Sequence, residues 1–275
     1  MFDLDYTKKA QEIQDWIATT VRSAGFEKVI LAVSGGVDSA VSLSLAVKAL
    51  GKENVYAVLL PYGTLSSASL EHGKLVVESA GLPKDHVFVR DIQSGVDKLW
   101  SVIANEAKQS DTNDEIAASQ APRNDTSIRR GNMMARVRMI YLFDLAKSLG
   151  ALVVGTENKS EHYLGYFTRF GDEASDIEPI RSLYKTQVWE MAKSLGVPKE
   201  IIEKKPSAGL WENQSDEGEF GFSYTDADKV LYFSFEEKKS QEEIIALGFD
   251  KKLVENVLGF ARKNDFKHHV PYIFE

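Results

Sequence analysis

The chain has 275 residues, 43% of them hydrophobic, which is enough to form one full-sized hydrophobic core. Its 33 Lys and Arg are outnumbered by 41 Asp and Glu, and the net charge of −8 argues against nucleic acid or an anionic membrane as a partner. The chain has no cysteine, which excludes disulfides and thiolate chemistry, and no apolar stretch approaches the length of a bilayer span, so we expect a cytoplasmic protein.

Short apolar runs alternate along the chain with longer segments of helical spacing. The apolar runs are rich in β-branched residues and predict strands at residues 29–33, 55–60, 87–89 and 152–154. The other segments predict helices at residues 7–23, 39–50, 66–80, 95–107, 133–149 and 185–195. Continuously apolar strands are typical of a parallel sheet covered on both sides. We therefore expect an α/β fold with a doubly wound, mostly parallel sheet and helices on both faces.

Two segments lie outside this alternation. Residues 109–130 are polar and almost without large apolar side chains, so they predict a mobile loop that could close over a site. After Pro206, an acidic and aromatic stretch precedes two further predicted helices at residues 226–235 and 250–263. We interpret the chain as one domain, with a sheet core at about residues 25–205 and a small C-terminal helical part at about residues 206–275.

A glycine corner, SGGVDS at residues 34–39, follows the first predicted strand directly and leads into a helix. Paired glycines let the backbone approach a phosphate closely, and the free amides and the dipole of a helix N-terminus favour an anion. The carboxyl end of a parallel strand is also where ligands bind in open α/β sheets. The sequence lacks the lysine of a Walker loop. The alternative interpretation is a tight turn in which Asp38 is an ordinary first-turn carboxylate.

The SGGVDS string resembles the pyrophosphate loop of the ATP pyrophosphatases, which cleave ATP between its α and β phosphates. Because Asp38 would repel phosphates unless a cation lay between them, Mg²⁺ is expected at this site. The resemblance implies ATP contacts in and beside the corner, by Ala32, Val33, Ser34, Gly35, Gly36, Val37, Asp38 and Ser39.

Longer strings downstream are similar to the ammonia-dependent NAD synthetase family. They are GNMMARVRM at residues 131–139, VVGTENKSEHYLGYFTRFGDEASDIEPI at 153–180, LYKTQV at 183–188 and KPSAGLWENQSDEGEFGFSY at 205–224. The resemblance implies an adenine nucleotide α-hydrolase-like fold and the ATP-dependent amidation of deamido-NAD with ammonia. In that reaction an adenylated carboxylate forms, and AMP and pyrophosphate are released. A chain without cysteine cannot form the thioester that commonly frees ammonia from glutamine.

The resemblance also implies roles for single residues. Lys185 would neutralise the leaving pyrophosphate, and Asp176 would position ammonia, so that Asp38, Lys185 and Asp176 are the expected catalytic residues. Thr156, Lys185 and Ser207 are expected to contact ATP, and Asp38 and Glu161 to hold Mg²⁺. The expected contacts to deamido-NAD are Arg136, Arg169, Asp176 and Lys267. The family further implies a homodimer whose dinucleotide site spans the interface.

Several alternatives remain open at this point. Glu161 could be a solvated helix carboxylate, Lys185 a helix-start lysine and Ser207 a helix cap. At the level of function, GMP synthetase activates its substrate in the same way, and a nucleotide sensor could use the same scaffold without catalysis. Nucleic-acid modification by the same loop is a further alternative, which the acidic composition disfavours.

Overall fold

The computed structural model describes residues 4–110, 126–211 and 214–274, with side chains described for all of these except residues 104–110. Four strands form one sheet: β1 (Lys28–Ala32), β2 (Val55–Leu59), β3 (Val87–Val89) and β4 (Ala151–Val153). Their order is β3-β2-β1-β4, and every pairing is parallel. The chain therefore winds outward from β1 in both directions, which places the topological switch point between the carboxyl ends of β1 and β4.

Twelve helices surround and extend this sheet in the described part of the chain. They are α1 (Tyr6–Ser23), α2 (Val37–Leu50), α3 (Ser67–Ser79), α4 (Gln93–Ser110), α5 (Thr126–Leu149), α6 (Lys159–Leu164), α7 (Lys185–Leu195), α8 (Lys199–Ile202), α9 (Asp216–Phe220), α10 (Tyr224–Leu231), α11 (Gln241–Ala246) and α12 (Lys251–Asn264). None of these helices is long and apolar enough to cross a bilayer.

The two faces of the sheet are buried by different helices. Val29 and Leu31 of β1 pack into one core with α1, α2 and α7, whereas Ile30 between them packs into a second core with α4 and α5. Successive side chains of a strand point to opposite faces, so strands that are buried on both faces must be continuously apolar. The predicted doubly wound α/β fold is confirmed, and the predicted strand ends are correct to within one residue.

The segment predicted as a loop at residues 109–130 is partly helical. Helix α5 begins at Thr126 rather than at residue 133, so the prediction is wrong for residues 126–130. Arg130 explains the difference, because its Nη2 contacts Asp97 of α4 and Tyr62 at 2.5 Å each, and these contacts replace the missing apolar periodicity. Residues 109 and 110 also belong to a helix, α4, and residues 111–125 lie outside the described residues.

A third apolar core lies in the C-terminal part of the chain. Helices α10, α11 and α12 supply most of it, and α9 and α11 are short helices that the sequence pattern did not predict. A π-helical segment, Tyr232–Glu236, extends α10. Leu164 of α6 and Tyr184, which precedes α7, also belong to this core. The C-terminal helices therefore pack against the end of α6 and the start of α7.

Candidate active site

The glycine corner begins at Ser34, two residues after β1 ends, and turns the chain into α2. Gly36 is the N-cap residue of α2 and has no side-chain cap, so the first-turn amides have no side-chain acceptor. Ser39 Oγ donates to Gly36 O at 2.9 Å, and the hydroxyls of Ser34 and Ser39 lie 3.3 Å apart. The corner thus presents backbone amides and hydroxyls together at the switch point, which is the donor set of an anion site.

Gly35 is required at this corner by both its conformation and its surroundings. Its φ is +74°, and a Cβ atom there would lie 2.6 Å from Ser69 O and 2.8 Å from Gly73 N. Both contacts are to the backbone of α3, which cannot rotate away. The corner is therefore packed directly against α3, and only a residue without a side chain fits.

We expect Gly35→Ala to destabilise the protein by about 2–4 kcal/mol, from left-handed strain and overpacking together. The matched control is Gly150→Ala, because Gly150 has φ +63° but nothing within 4 Å of the added Cβ. The free energy of unfolding of Gly150→Ala should fall by only about 1 kcal/mol, the contribution of the left-handed backbone strain. Chemical denaturation of both variants checks this, and equal losses would mean that the close approach to α3 does not matter.

A buried lysine joins two carboxylates beside the corner. Lys185, the first residue of α7, is 2% exposed, and its Nζ lies 2.5 Å from Asp38 Oδ2 and 3.2 Å from Glu161 Oε1. Asn158, fully buried, donates from Nδ2 to the other oxygen of Asp38 at 2.9 Å and caps α6 through its own Oδ1. Three elements, α2, α6 and α7, thus meet at one charged centre.

The electrostatics of this centre favour an additional cation. Burial alone would lower the pKa of Lys185, but the neighbouring Asp38 and Glu161 raise it, so the ammonium stays protonated. Burial raises the pKa of Glu161, and Asp38 raises it further against the opposing effect of Lys185. Burial also raises the pKa of Asp216, a third carboxylate whose charge acts on Lys185. Lys185 therefore contacts two acidic side chains, and a further cation beside them would favour the charged form of Glu161.

A buried carboxylate from the C-terminal part fixes the backbone beneath this centre. Asp228 of α10 is fully buried and accepts from Ser160 Oγ at 2.5 Å, Thr186 N at 2.9 Å and Thr186 Oγ1 at 2.7 Å. Ser160 Oγ in turn accepts from Lys185 N at 2.8 Å. Asp228 therefore caps the N-terminus of α7 and holds the residue next to Glu161, which positions both partners of the charged centre.

Asp228→Asn should lower the free energy of unfolding by about 2 kcal/mol, because one carbonyl oxygen and an amide donor cannot satisfy the same donors. That corresponds to a fall in Tm of about 4–8 °C. Asp226→Asn is the control, since Asp226 is on the same helix and exposed, and the amide oxygen of asparagine can still accept from Ser223 Oγ as Asp226 does. Its effect should stay within about 0.5 kcal/mol. Thermal unfolding followed by circular dichroism measures both, and equal Tm values would contradict the assigned role of Asp228.

A cavity of about 560 Å³ opens at this edge of the sheet, a size suited to a small organic ligand. It brings together residues that are far apart in sequence, from the corner to the 3₁₀ turn Asp265–His268 that follows α12. Of the predicted site residues, the cavity is lined by Ala32, Val33, Ser34, Gly36, Val37, Asp38, Ser39, Thr156, Glu161, Lys185, Ser207 and Lys267. Lys267 Nζ donates to the carbonyl oxygens of Gly165 and Phe167 at 2.6 and 2.9 Å.

Four predicted residues are not part of the cavity lining. Gly35 faces α3, as described above. Asp176 is exposed and uses Oδ2 to accept from Val153 N, at the end of β4, at 2.7 Å. Arg136 is exposed on α5 and donates from Nε to Arg169 O at 3.1 Å. Arg136 and Arg169 are thus neighbours outside this chain's cavity.

The cavity also contains polar residues that the sequence analysis did not single out, including Lys204, Arg138, Asp172 and Asp216. Arg138 donates from Nε to Leu60 O at 3.1 Å, and burial lowers its pKa to about 10. Asp216 is 3% exposed and accepts from the hydroxyls of Tyr166 and Tyr224 at 3.2 Å each. Arg138, Asp172 and Asp216 lie within the strings that carried the family resemblance, which was the available signal for them.

Comparison with known proteins covers nearly the whole chain. The family model described as NAD synthase matches residues 9–271. The NH(3)-dependent NAD(+) synthetase of Fusobacterium nucleatum is 42% identical over 271 residues, which are 98% of this chain and 96% of that protein. This chain belongs to the NAD synthase family.

Solved structures agree with membership of the NAD synthase family. An NH3-dependent NAD synthetase from Campylobacter jejuni, in complex with a nitrate ion, matches with a TM-score of 0.76 and 32% identity, covering 99% of this chain and 100% of that one. An NMN synthetase from Francisella tularensis matches with a TM-score of 0.80 and 29% identity over the same shares. The match to the NAD synthase family thus includes the C-terminal helices as well as the sheet.

Proposed function

We propose that this chain catalyses the ATP-dependent amidation of deamido-NAD with ammonia, with NAD, AMP and pyrophosphate as products. The observation that carries the proposal is the meeting of the SGGVDS corner with Asp38, Glu161 and Lys185 at the switch point of a NAD synthase family member. The corner suits a departing polyphosphate, and the charged centre beside it suits the charge that develops when ATP is cleaved.

The chemistry requires activation because a carboxylate is a poor acyl donor. An oxygen of the nicotinate carboxylate attacks the α-phosphorus of ATP, the bond to the β-phosphate bridging oxygen breaks, and pyrophosphate leaves. Ammonia then attacks the carbonyl carbon of the mixed anhydride, loses a proton and expels AMP. No step needs a side-chain nucleophile, so the protein contributes mainly by positioning the reactants and stabilising charge.

In this proposal residues 32–39 bind the phosphates through backbone amides and the hydroxyls of Ser34 and Ser39. Lys185 neutralises the charge that builds on the leaving group, and its raised pKa keeps it protonated for that task. Thr156 and Ser207, both in the cavity lining, supply further hydroxyl contacts to ATP. The buried centre beneath them holds Lys185 in one position.

The proposal includes Mg²⁺, for which the residues present are suitable. Asp38 and Glu161 both reach the same ammonium, so their oxygens converge on one region. Within the described residues no group of three or more His, Cys, Asp or Glu side chains could hold a metal alone. Mg²⁺ commonly takes one or two carboxylates and completes its shell with waters and substrate phosphates. Bound there by Asp38 and Glu161, it would supply electrostatic stabilisation of phosphate charge.

Deamido-NAD would be held by Lys267 within the cavity and by Arg136, Arg169 and Asp176. Because the last three do not line this chain's cavity, we propose that they complete the site of a second copy in a cytoplasmic homodimer. Ile140 and Phe143 on α5 support this arrangement, since they are 65% and 38% exposed beside Arg136. Exposed apolar side chains of this size commonly mark a protein interface.

Subunit mixing tests the shared site. If Arg136 serves the partner's site, Arg136→Ala and Asp38→Asn subunits are each inactive alone, but a mixed dimer contains one intact site. Mixing equal amounts after dissociation should restore about a quarter of the wild-type activity, because half the dimers are mixed and half of their sites are intact. No recovery in verified mixed dimers would place Arg136 and Asp38 in the same subunit's site.

Product analysis tests the function itself. Purified protein is incubated with ATP, MgCl₂ and ammonium, with and without deamido-NAD, and nucleotides are separated by chromatography. NAD, AMP and pyrophosphate should appear in equal amounts and only with deamido-NAD. ADP would contradict the proposal, and intact ATP would indicate a sensor. Xanthosine monophosphate tests the GMP synthetase alternative. Nicotinate mononucleotide, the acid corresponding to NMN, is included because one similar structure is named an NMN synthetase.

A further inference from the structure

Lys204 is a cavity lysine that contacts the backbone of the glycine corner. It follows α8 closely in sequence, and its Nζ donates to Gly35 O at 3.2 Å and lies 3.5 Å from Ser69 Oγ. Both Lys204 and Ser69 line the cavity. An ammonium group therefore stands at the point where the chain turns from β1 into α2, although neither the family resemblance nor the sequence pattern assigned Lys204 a role.

Lys204 differs from Lys185 in lacking a counter-charge. Among the described residues no carboxylate oxygen lies within 4.0 Å of Lys204 Nζ, whereas Lys185 contacts two carboxylates. Burial lowers the pKa of Lys204, with no carboxylate to oppose the effect. A half-buried ammonium without a carboxylate is costly, and an anion bound beside it would remove that cost.

A second polar group near the corner, the His72 imidazole, also lacks a compensating partner among the described residues. His72 of α3 packs against Gly35, and its Nδ1 is buried without a hydrogen-bond partner in the described structure. Its pKa is lowered by burial and then by the charge of Lys204, with Glu200 acting in the opposite direction. The surroundings of Gly35 therefore offer positive charge and an unused polar atom, whereas the negative charge is concentrated at Asp38, Glu161 and Asp216.

We propose that Lys204 binds the departing pyrophosphate at the Gly35 corner, while Lys185, held by Asp38 and Glu161, acts on the charge that develops as the bond between the α and β phosphates breaks. This inference rests on the proposed function and deepens it, because it divides the two lysines between two tasks. The division follows from charge: the Lys185 ammonium is shared with two carboxylates, whereas in the described part of the chain the Lys204 ammonium contacts only neutral oxygen atoms and keeps its whole charge for a bound pyrophosphate.

Lys204 variants and a matched control test this division. Pyrophosphate binding is measured by calorimetry in MgCl₂ without ATP, and KM is measured for ATP and for deamido-NAD. Lys204→Met should weaken pyrophosphate binding about tenfold to a hundredfold, which is the usual effect of removing a charge-assisted hydrogen bond, and leave KM for deamido-NAD unchanged. Lys199→Met, on the exposed surface of α8, removes the same charge outside the cavity and should bind like wild type.

Two further variants separate binding from a purely structural role. Lys204→Arg keeps the charge and should retain most of the pyrophosphate affinity. Lys204→Gln keeps an N–H donor for Gly35 O without the charge, so it should be as weak as Lys204→Met. If Gln restores affinity, the hydrogen bond to Gly35 matters and the proposal is wrong. It is also wrong if folded Lys204→Met, or Lys204→Gln should Met fail to fold, binds pyrophosphate like wild type.

The proposed function and this inference fail in different ways. A wild-type protein that makes no NAD, AMP and pyrophosphate contradicts the proposed function, whatever the variants bind. A wild-type protein that makes NAD while Lys204→Met keeps its pyrophosphate affinity contradicts only the assignment of Lys204.

Discussion

Asp38→Asn is expected to lower kcat/KM for ATP about a thousandfold. The substitution keeps the shape of the side chain but removes the charge that faces Lys185 at 2.5 Å and one of the two proposed Mg²⁺ ligands. The loss of a partly buried charge partner and of a metal ligand is worth about 4 kcal/mol, and each 1.4 kcal/mol corresponds to about a factor of ten in rate. Steady-state formation of NAD at saturating ammonium is the measurement.

The control for Asp38→Asn is again Asp226→Asn, which removes a carboxylate from the exposed side of α10. It should retain full activity. Asp38→Asn should also lose about 1–2 kcal/mol of stability, because Asp38 accepts from both Asn158 Nδ2 and Lys185 Nζ and one carbonyl oxygen can serve only one of them, although Lys185 keeps Glu161 as a partner. A folded Asp38→Asn enzyme with more than about a tenth of wild-type activity would remove Asp38 from the centre of the proposed mechanism.

Lys185→Met should cost both activity and stability. Breaking a buried ion pair by removing one partner typically costs about 3–5 kcal/mol, and the 16% and 18% exposure of the Asp38 and Glu161 side chains lowers the expected loss to about 2–3 kcal/mol. We expect Tm to fall by about 4–10 °C and NAD formation to become undetectable. Differential scanning calorimetry and the product assay measure the two effects.

Lys193→Met provides the matched control on the same helix. Lys193 pairs with Glu190 on the surface, where both side chains are about half exposed, so the substitution should change stability by less than about 0.5 kcal/mol. Millimolar MgCl₂ should recover part of the stability of Lys185→Met, since a divalent cation can replace the ammonium between the carboxylates. An unchanged Tm for Lys185→Met would mean that the charged centre contributes nothing to folding.

Local pattern was sufficient to predict the sheet and the corner. Buried strands are apolar over their whole length, and the corner combines glycines with a helix start, so both can be predicted from the sequence without knowledge of the fold. The start of α5 could not be predicted in this way. Its first turns depend on Arg130 contacting Asp97 and Tyr62, residues that are 33 and 68 positions away. Contacts at such separations leave no periodic signal in the sequence.

In the candidate site, too, the sequence predicted some residues, whereas other features depend on long-range contacts. The resemblance paired Asp38 with Glu161 in a Mg²⁺ site and named Lys185 separately, but the contact between Lys185 and Asp38 spans 147 positions and is provided only by the fold. Lys204 and Asp228 have no local signature that separates them from ordinary residues. Asn158 could have been found, because Asn158 and Glu161 form the spacing of a capping box. The roles of all the predicted site residues remain predictions, and Arg136, Arg169 and Asp176 do not line the cavity of this chain.

The hydrogen bonds of Asp228 indicate whether the sheet could be separated from the C-terminal helices. Because α10 supplies the acceptor for Thr186 N, a fragment ending at residue 206 would leave that amide unsatisfied and would uncover Leu164 and Tyr184. The sheet and its flanking helices are therefore not expected to fold correctly without the C-terminal helices. Grafting only the corner, α6 and α7 into another α/β scaffold would transfer the proposed ligand-binding residues, but it would remove the hydrogen bonds through which Asp228 positions Lys185 and Glu161.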